Sequence, residues 1–488
     1  MYIDPNMLVE AFRGSANRFP TPSCSHYDPS RGPNELKEQV ESMKSYAENL
    51  YKKYEKYVGD MDNNWTKRTT VVCMENWSRA TKYLEATVST SIANFNKFAF
   101  PLIRAILPAT ATEKAFTVQP MLGPTSQIFS LQATYGTTTG KVTAGQPLWG
   151  ETVDAQYGDS VIQDESIGVG TGAIANYAAN LDYAPIVPGT ITITDGTQTL
   201  TDDGANVFVG DGTGTINYTT GAYNITFTAV VASGEIIEAS YNVDNEVDAG
   251  AIPEIDLTLT ASPVTAHRKA IRFRYSLIAA YALRDQYGVE GEGELVKATA
   301  AEIAFGIDIT NFKAVTRVAL DVRNTAEYQY DRTVPTGGHA MDWRNFFIET
   351  LIKGSSYILK KSGRVVGNGL IGDEIVTNML EGIGLPRFVP TPQVATRGIQ
   401  EVGVLDGRWT ILRTVNPEFI GLGVGEFMMY AKMPEFLYAG YVWAPWIAAF
   451  ETPTTILDDF QGRKGMASLS GHKIINANYY LKMKTIKS

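Results

Sequence analysis

Between Lys141 and Arg268 the chain contains no lysine or arginine. These 126 residues, 142–267, carry 17 aspartates and glutamates, whereas the other 362 hold all 42 basic residues and 35 acids. The formal net charge of −10 is thus −17 on one contiguous segment and +7 on everything else. The chain reads as an acidic insert set into a mildly basic remainder. An asymmetry of this kind bears on what each part can face.

The length of 488 residues suggests about two to four domains. With 44% apolar and 11% aromatic residues the chain can bury a large core and is not disordered throughout. Two cysteines, Cys24 and Cys73, cannot build a disulfide framework or a four-cysteine zinc site. A single bridge and two reduced thiols are the alternatives, and folding inside a cell favours the thiols. The N-terminus lacks a basic start followed by an apolar run, so no secretory signal is expected. The longest strongly apolar stretches, Ile167–Leu181 and Leu437–Phe450, fall short of the roughly 20 residues a spanning helix needs. A soluble protein with no membrane partner is expected.

Residues 1–32, with Pro5, Pro20, Pro22 and Pro29 among small polar residues, read as an extended arm. Asn34 is a natural N-cap, with Glu35 and Glu38 in the first turn. Leu36, Val40, Met43, Ala47, Leu50, Tyr54 and Val58 then form one apolar stripe. Such a stripe needs a partner surface in its own chain or in a neighbour, which makes Leu36, Val40, Met43, Leu50 and Tyr54 a candidate arm-helix interface. Residues 76–107 read as helical. Phe129, Leu131 and Ala133, and far downstream Ile255, Leu257 and Leu259, alternate with polar residues. These segments read as the two strands of one long hairpin with the acidic insert between them.

The insert is strand-rich. TITIT (190–194), NVFVG (206–210), TINYTTGAYNITF (215–227) and EIIEASY (235–241) are separated by Gly and Asp turns, which predicts a small sandwich or barrel near 168–250. Helix is expected to return at His267 with a basic start, Arg268, Lys269, Arg272 and Arg274. A long helix follows, with Val296, Ala300, Ile303, Ile307, Ala314 and Val318 on one face. Asp342 is expected to cap a helix containing Trp343, Phe346, Phe347 and Leu351. The C-terminal IINANYYLKMKTI reads as strand.

Chemical motifs are thin. Gly367–Gly372 fits GxGxxG but lacks the preceding strand and following acid of a dinucleotide fold, and reads as a Gly-rich turn before a helix. His26, His267, His339 and His472 are too far apart in sequence for a helical metal pair. Asp202, Asp203 and Asp211 lie in Gly-containing turns without EF-hand spacing, so turn formation outweighs calcium binding. No catalytic residue, cofactor or metal is expected, and the chain is not expected to be an enzyme. The basic cluster Arg268, Lys269, Arg272 and Arg274 is a candidate inter-subunit or DNA-proximal patch.

Architecture carries more. The run AFTVQPMLGPTSQIFSLQATYG (115–136) and the run VTAHRKAIRFRYSLIAAYALRDQYGVEGEGELVKATAAEIAFGI (264–307) resemble the major capsid protein of large contractile-tailed, T-even-like bacteriophages. FAFPLIRAILP (98–108) adds a weaker match. The resemblance implies an α+β fold of the tailed-phage capsid type, with an inserted small all-β domain. It maps an N-terminal arm to 1–66, the first part of a peripheral domain to 67–124, and an extended loop to 125–167 and 251–266. The β-sandwich-like insert falls at 168–250, the spine helix in 267–320, an axial domain at 321–445, and a C-terminal return to the peripheral domain at 446–488. It implies self-assembly into hexamers, with the pentamers built either from this chain or from a separate vertex protein, forming an icosahedral head shell around packaged double-stranded DNA. Decoration, vertex, portal and scaffolding proteins would be the partners, the virion the location, and the host cytoplasm the site of assembly. Leu8-Val9-Glu10 before Ala11 also resembles the site at which family members lose an N-terminal segment. The alternative is another virion or surface protein, a baseplate piece or adhesin. Its β module would bind glycans through exposed Tyr218, Tyr223 and Tyr241.

Overall fold

A computed structural model of the chain describes residues 49–59, 61, 64–85, 110–151, 153–244, 252–288, 291–392, 398–433, 438–452, 454–456 and 461–487. It divides into a large unit, Met1–Leu131 with Leu259–Ser488, and a β unit, Gln132–Thr258. The large unit begins with α1 (Asn64–Glu85), α2 (Ala111–Ala115), β1 (Thr117–Val118) and β2 (Thr125–Tyr135). The β unit follows with β3 (Val161–Val169), β4 (Asn176–Asn180), β5 (Thr192–Thr194), β6 (Thr199–Asp202), β7 (Val207–Gly210), β8 (Gly212–Ile216), β9 (Ala222–Phe227) and β10 (Ile236–Asn242). The chain returns along β11 (Ile255–Thr265), β12 (His267–Ser276), α3 (Leu277–Tyr287), α4 (Gly291–Val318) and β13 (Leu320–Asp321). Then come β14 (Gln329–Asp331), α5 (Ala340–Ser362), β15 (Gly369–Gly372), α6 (Glu374–Glu381), β16 (Phe388–Pro390), β17 (Ile399–Leu405), β18 (Trp409–Thr414) and β19 (Glu426–Tyr430). The last strands are β20 (Tyr441–Glu451), β21 (Thr455–Ile456), β22 (Gln461–Ile474) and β23 (Tyr480–Ile486).

Two sheets organise the large unit. One runs β1-β20-β22-β12, with β21 on β22; the other runs β13-β23-β19-β15-β18-β17-β16, with β14 on β23. Helix α4 joins both to one core. Its Ala300, Ile303, Ala304, Ile307, Phe312 and Val315 are buried, the three-and-four spacing that puts side chains on one face. Ala300, Ile303 and Ile307 of the expected stripe lie there, while Val318 is exposed. Asp308 on the same face is buried, and its carboxylate accepts from the Ala111 and Thr112 amides at 3.0 and 2.9 Å and from the Thr112 hydroxyl at 2.6 Å. Thr110, the residue before α2, makes no side-chain cap of its own. A carboxylate almost two hundred residues away supplies the acceptors that the first turn of α2 lacks.

Strands β2 and β11 pair as a separate two-stranded ribbon, the hairpin expected from their alternation. The β unit is one sheet of order β3-β10-β5-β6-β7-β8-β9-β4. It wraps: the Tyr223 hydroxyl on β9 donates to the Ile167 carbonyl on β3, 3.2 Å away, although five strands separate them in the sheet order. Ile162, Ile193, Leu200, Phe208, Ile225 and Ile237 fill its core. Lys141 is the one basic residue of this unit, and it acts on Glu165 and Asp182 only through its field, so the buried acids take their hydrogen bonds from neutral donors. Glu165 accepts from the Tyr241 hydroxyl and from the Asp182 amide at 2.8 Å. Asp154 accepts from the Tyr183 hydroxyl at 2.7 Å. Burial holds the Glu165 carboxyl above its ordinary value despite these bonds.

Four expectations change. Residues 267–276 form strand β12, not the start of a helix: Lys269, Ile271, Phe273 and Tyr275 alternate with Arg268, Ala270, Arg272 and Arg274 at the two-residue period of a pleated chain. Strand β3, placed in the outgoing loop, is an end strand of the β unit's sheet and pairs with β10, so that sheet starts before 168. The C-terminal segment divides, with β20 and β22 in one sheet and β23 pairing with β13, β14 and β19 in the other. His339, not Asp342, is the N-cap of α5, and Asp342 lies in its first turn.

Candidate functional site

The pleat of β12 separates the four residues expected as one basic cluster. Arg268, Arg272 and Arg274 lie on an exposed face. Lys269 points the other way, and its ammonium donates to the Gly306 carbonyl and, at 2.6 Å, to the Thr310 hydroxyl on α4. Burial lowers its pKa, which suits a packing residue rather than a surface cation. Antiparallel pairing sets the half-buried Arg463 directly opposite Arg274. On the opposite face Lys464 pairs with Glu451 at 2.8 Å and with Glu292 at 3.3 Å. Strand β12 pairs only with β22 among the described residues, which makes it a sheet edge.

The candidate arm-helix interface also divides. Leu36, Val40 and Met43 lie outside the described residues. Leu50 and Tyr54, on a helical stretch at 49–58, are buried in the large unit's own core. The Tyr54 hydroxyl donates to Glu75 of α1 at 2.8 Å, and Lys53 pairs with the same carboxylate at 2.7 Å. These two positions hold the arm to its own subunit and are not free for a neighbour.

The unburied apolar surface lies elsewhere. On β11, Ile255, Leu257 and Leu259 share one side of the strand and are 58–66% exposed. An isolated two-stranded ribbon is marginal in water, so a partner is needed to cover it. Helix α3, LIAAYALRDQY, has no buried residue; Ile278, Tyr281 and Tyr287 are 74, 70 and 72% exposed. Monomeric proteins rarely leave such apolar side chains clustered in water. The signal for α3 is present in its sequence, where Ile278, Tyr281 and Ala282 recur at helical spacing, but periodicity alone does not say that the face is left open.

The remaining motifs resolve into packing and turns. Gly369–Gly372 is strand β15, buried between β18 and β19, and not a turn: side chains at 367 and 369 would collide with Met429 and Tyr430, and one at 372 would press on Val376. Asp203 accepts from the Ala205 amide at 2.7 Å, Asp202 from the Gly189 amide at 2.6 Å, and Asp211 from the Thr199 amide at 3.0 Å. The Asp203 bond closes its own turn, and the other two tie neighbouring segments of the β unit together. Tyr223 and Tyr241 are buried, and the Tyr218 hydroxyl donates to Asp202 at 2.7 Å, so the three tyrosines are spent inside the β unit. Cys73 is a free, buried thiol, pushed up to about 12 by desolvation; Cys24 and His26 lie outside the described residues. The His472 ring stacks on Tyr441. Among the described residues no three His, Cys, Asp or Glu side chains form a metal-sized group, and no helix is long and apolar enough to cross a membrane.

A long helix bridging two sheets, a ribbon from which an acidic β unit is inserted, and open apolar faces define a lattice-forming subunit. Residues 92–486 match the sequence model of the family described as major capsid protein Gp23, and the chain belongs to that family. It is a structural protein of the virion, a major capsid protein, and copies of it form the head shell. None of the curated proteins compared matches it. Among solved structures it is similar to a chain of Mycobacterium phage Che8, at 15% identity over 50% of this chain and 80% of that one, TM-score 0.32. It is also similar to the capsid of Myoviridae phage XM1, at 8% identity over 66% and 89%, TM-score 0.32. The jumbo bacteriophage PhiKZ capsid matches at 11% identity over 74% and 69%, TM-score 0.30. At these TM-scores the assignment stands on the family match.

Proposed function

We propose that the chain assembles into hexamers and pentamers of an icosahedral shell around packaged double-stranded DNA. The arm and the β2–β11 ribbon overlap neighbouring copies. The observation that carries this reading is the open apolar surface of β11 and α3 in a member of a shell-forming family. Residues 267–320 contain the spine helix α4, and 321–445 supply the axial contacts. Portal, vertex, decoration and scaffolding proteins complete the particle, which forms in the host cytoplasm. The exposed Arg268, Arg272 and Arg274 meet an anionic surface, either packaged DNA or acids of a neighbour.

The charge split gives this shell a polarity. A segment with 17 acids and no lysine or arginine is repelled by packaged phosphate, so the β unit faces outward and the residual positive charge lies nearer the DNA. Removing residues 1–32 tests the arm. The expected product is a soluble subunit with the wild-type melting temperature that forms few shells by sedimentation. Shells at normal yield from the truncated chain would remove the arm from the lattice.

A further inference from the structure

A cleft of about 450 Å³ opens in the large unit where β15, β18 and β19 meet α2, lined by Lys114, Asn368, Arg408, Thr410, Tyr430 and Lys432. Its size falls in the usual range for small-molecule sites, roughly 300–1,000 Å³. Sheet register builds it. Gly369 lies beside both Thr410 and Tyr430, and any side chain at 369 would overlap the Tyr430 ring. Glycine there lets the phenol lie across the strand. The ring is 1% exposed, and its hydroxyl is buried with no hydrogen-bond partner. Burial raises the Tyr430 pKa, so the phenol stays a donor at neutral pH.

Two cations without a carboxylate in ion-pair distance among the described residues line the same cleft. Lys432 is fixed at its backbone by Asn368: its amide donates to the Asn368 Oδ1 at 2.8 Å, and the Asn368 Nδ2 donates to the Lys432 carbonyl at 2.7 Å. Its ammonium donates to the main-chain carbonyl of Glu113 at 2.5 Å. Among the described residues no carboxylate lies within ion-pair distance of it. Arg408 holds its guanidinium over the Trp409 ring, 4.6 Å from the centroid, and makes no ion pair among the described residues. Two acids border the cleft, Glu401 acting on Tyr430 and Glu113 on Lys432, and each has a partner of its own. Glu401 pairs with Lys114 and accepts from Thr391 at 3.2 Å, and the Glu113 carboxyl accepts from Thr66. Burial lowers the pKa of Lys432, and a bound anion would offset that penalty.

We propose that this cleft binds a phosphate group, free in solution or carried by nucleic acid, through the Arg408 guanidinium, the Lys432 ammonium and the Tyr430 hydroxyl. Arginine's planar fork suits two phosphate oxygens at once, and lysine and the phenol offer donors to the others. Recognition runs through side chains, not through backbone amides of the Gly367–Gly372 run, because Gly369–Gly372 is buried strand.

The test is isothermal titration of the full soluble chain at about pH 7 and low salt, with inorganic phosphate in one arm and a short 5′-phosphorylated oligothymidylate in the other. Chloride at matched ionic strength is the control. The Tyr430→Phe and Arg408→Gln variants are titrated in parallel, each after its melting temperature has been matched to wild type; Arg408 is exposed, so its variant is expected to fold. Saturable phosphate binding, weakened about tenfold or more in each variant, is expected from the loss of one charge-assisted or buried donor. Tyr430→Phe should melt no lower than wild type without phosphate, since it deletes an unsatisfied hydroxyl. Binding of the oligonucleotide alone, with the same dependence on both variants, would assign the phosphate to nucleic acid. Absence of saturable heat with both probes, or variants that bind as tightly as wild type, would overturn the proposal.

Discussion

Replacing Asp308 by alanine is expected to cost roughly 3–5 kcal/mol of stability, because it strands two buried main-chain amides and one hydroxyl at about 1–3 kcal/mol each. The amides of Ala111 and Thr112 and the Thr112 hydroxyl accept no substitute from Thr110, which forms no cap. Domains are stable by about 5–15 kcal/mol, so this one change threatens a large fraction of the total. A drop of roughly 5 °C or more in the melting temperature of the soluble subunit is the expected reading. The same residue gives a pH dependence with a defined sign. Burial lifts the Asp308 carboxyl to about 6, against the pull of its hydrogen bonds and of Lys269. A carboxyl raised above its unfolded value contributes stability below that unfolded value and loses it as pH rises through the folded one. The contribution of Asp308 to stability should therefore fall between about pH 4 and about pH 6, and Asp308→Ala should lose that part of the slope. The gap between the two proteins is then widest at the acid end. Parallel slopes across that window would show that Asp308 does not titrate there.

Changing Ile255, Leu257 and Leu259 together to glutamate is expected to leave the subunit folded and to abolish assembly. All three are more than half exposed on β11, and surface substitutions away from special features change stability by about 0.5 kcal/mol or less. In a shell the same side chains are covered. Each buried leucine or isoleucine contributes roughly 1.5–3 kcal/mol, so the triple change removes about 5–9 kcal/mol per subunit before the cost of burying charge is added. Sedimentation should find subunits with wild-type circular dichroism and melting but few shells. Wild-type shell yield from the triple variant would show that the ribbon is not a lattice contact.

The parts of the fold legible in the sequence are those where one period dominates a segment. Strands β5 to β10 stand out because alternating runs are separated by Gly and Asp turns, and the side chains of Asp195, Asp202 and Asp203 accept from amides within those turns. The stripe on α4 is legible at Ala300, Ile303 and Ile307 for the same reason. Strand β12 was masked by its charge. Arg268, Lys269, Arg272 and Arg274 look like one patch when counted along the chain, but the pleat sends Lys269 into α4 and the three arginines to the opposite face. The GxGxxG run misleads in another way: its glycines make room for Met429, Tyr430 and Val376 from other elements, which no local pattern can announce. The Asp308 cap and the Tyr430 cleft join residues up to several hundred positions apart. Only the tertiary fold brings them together.

With no basic residue between Lys141 and Arg268, the buried Glu165 and Asp154 of the β unit take their hydrogen bonds from tyrosine hydroxyls and amides, and the same absence sets the polarity proposed for the shell. Electron microscopy of particles assembled from the purified protein tests both together. The account predicts hollow polyhedra built of hexameric capsomers, with the density of residues 132–258 on the outer surface. Small discrete oligomers without closed shells, or shells whose inner wall carries the β unit, would contradict it.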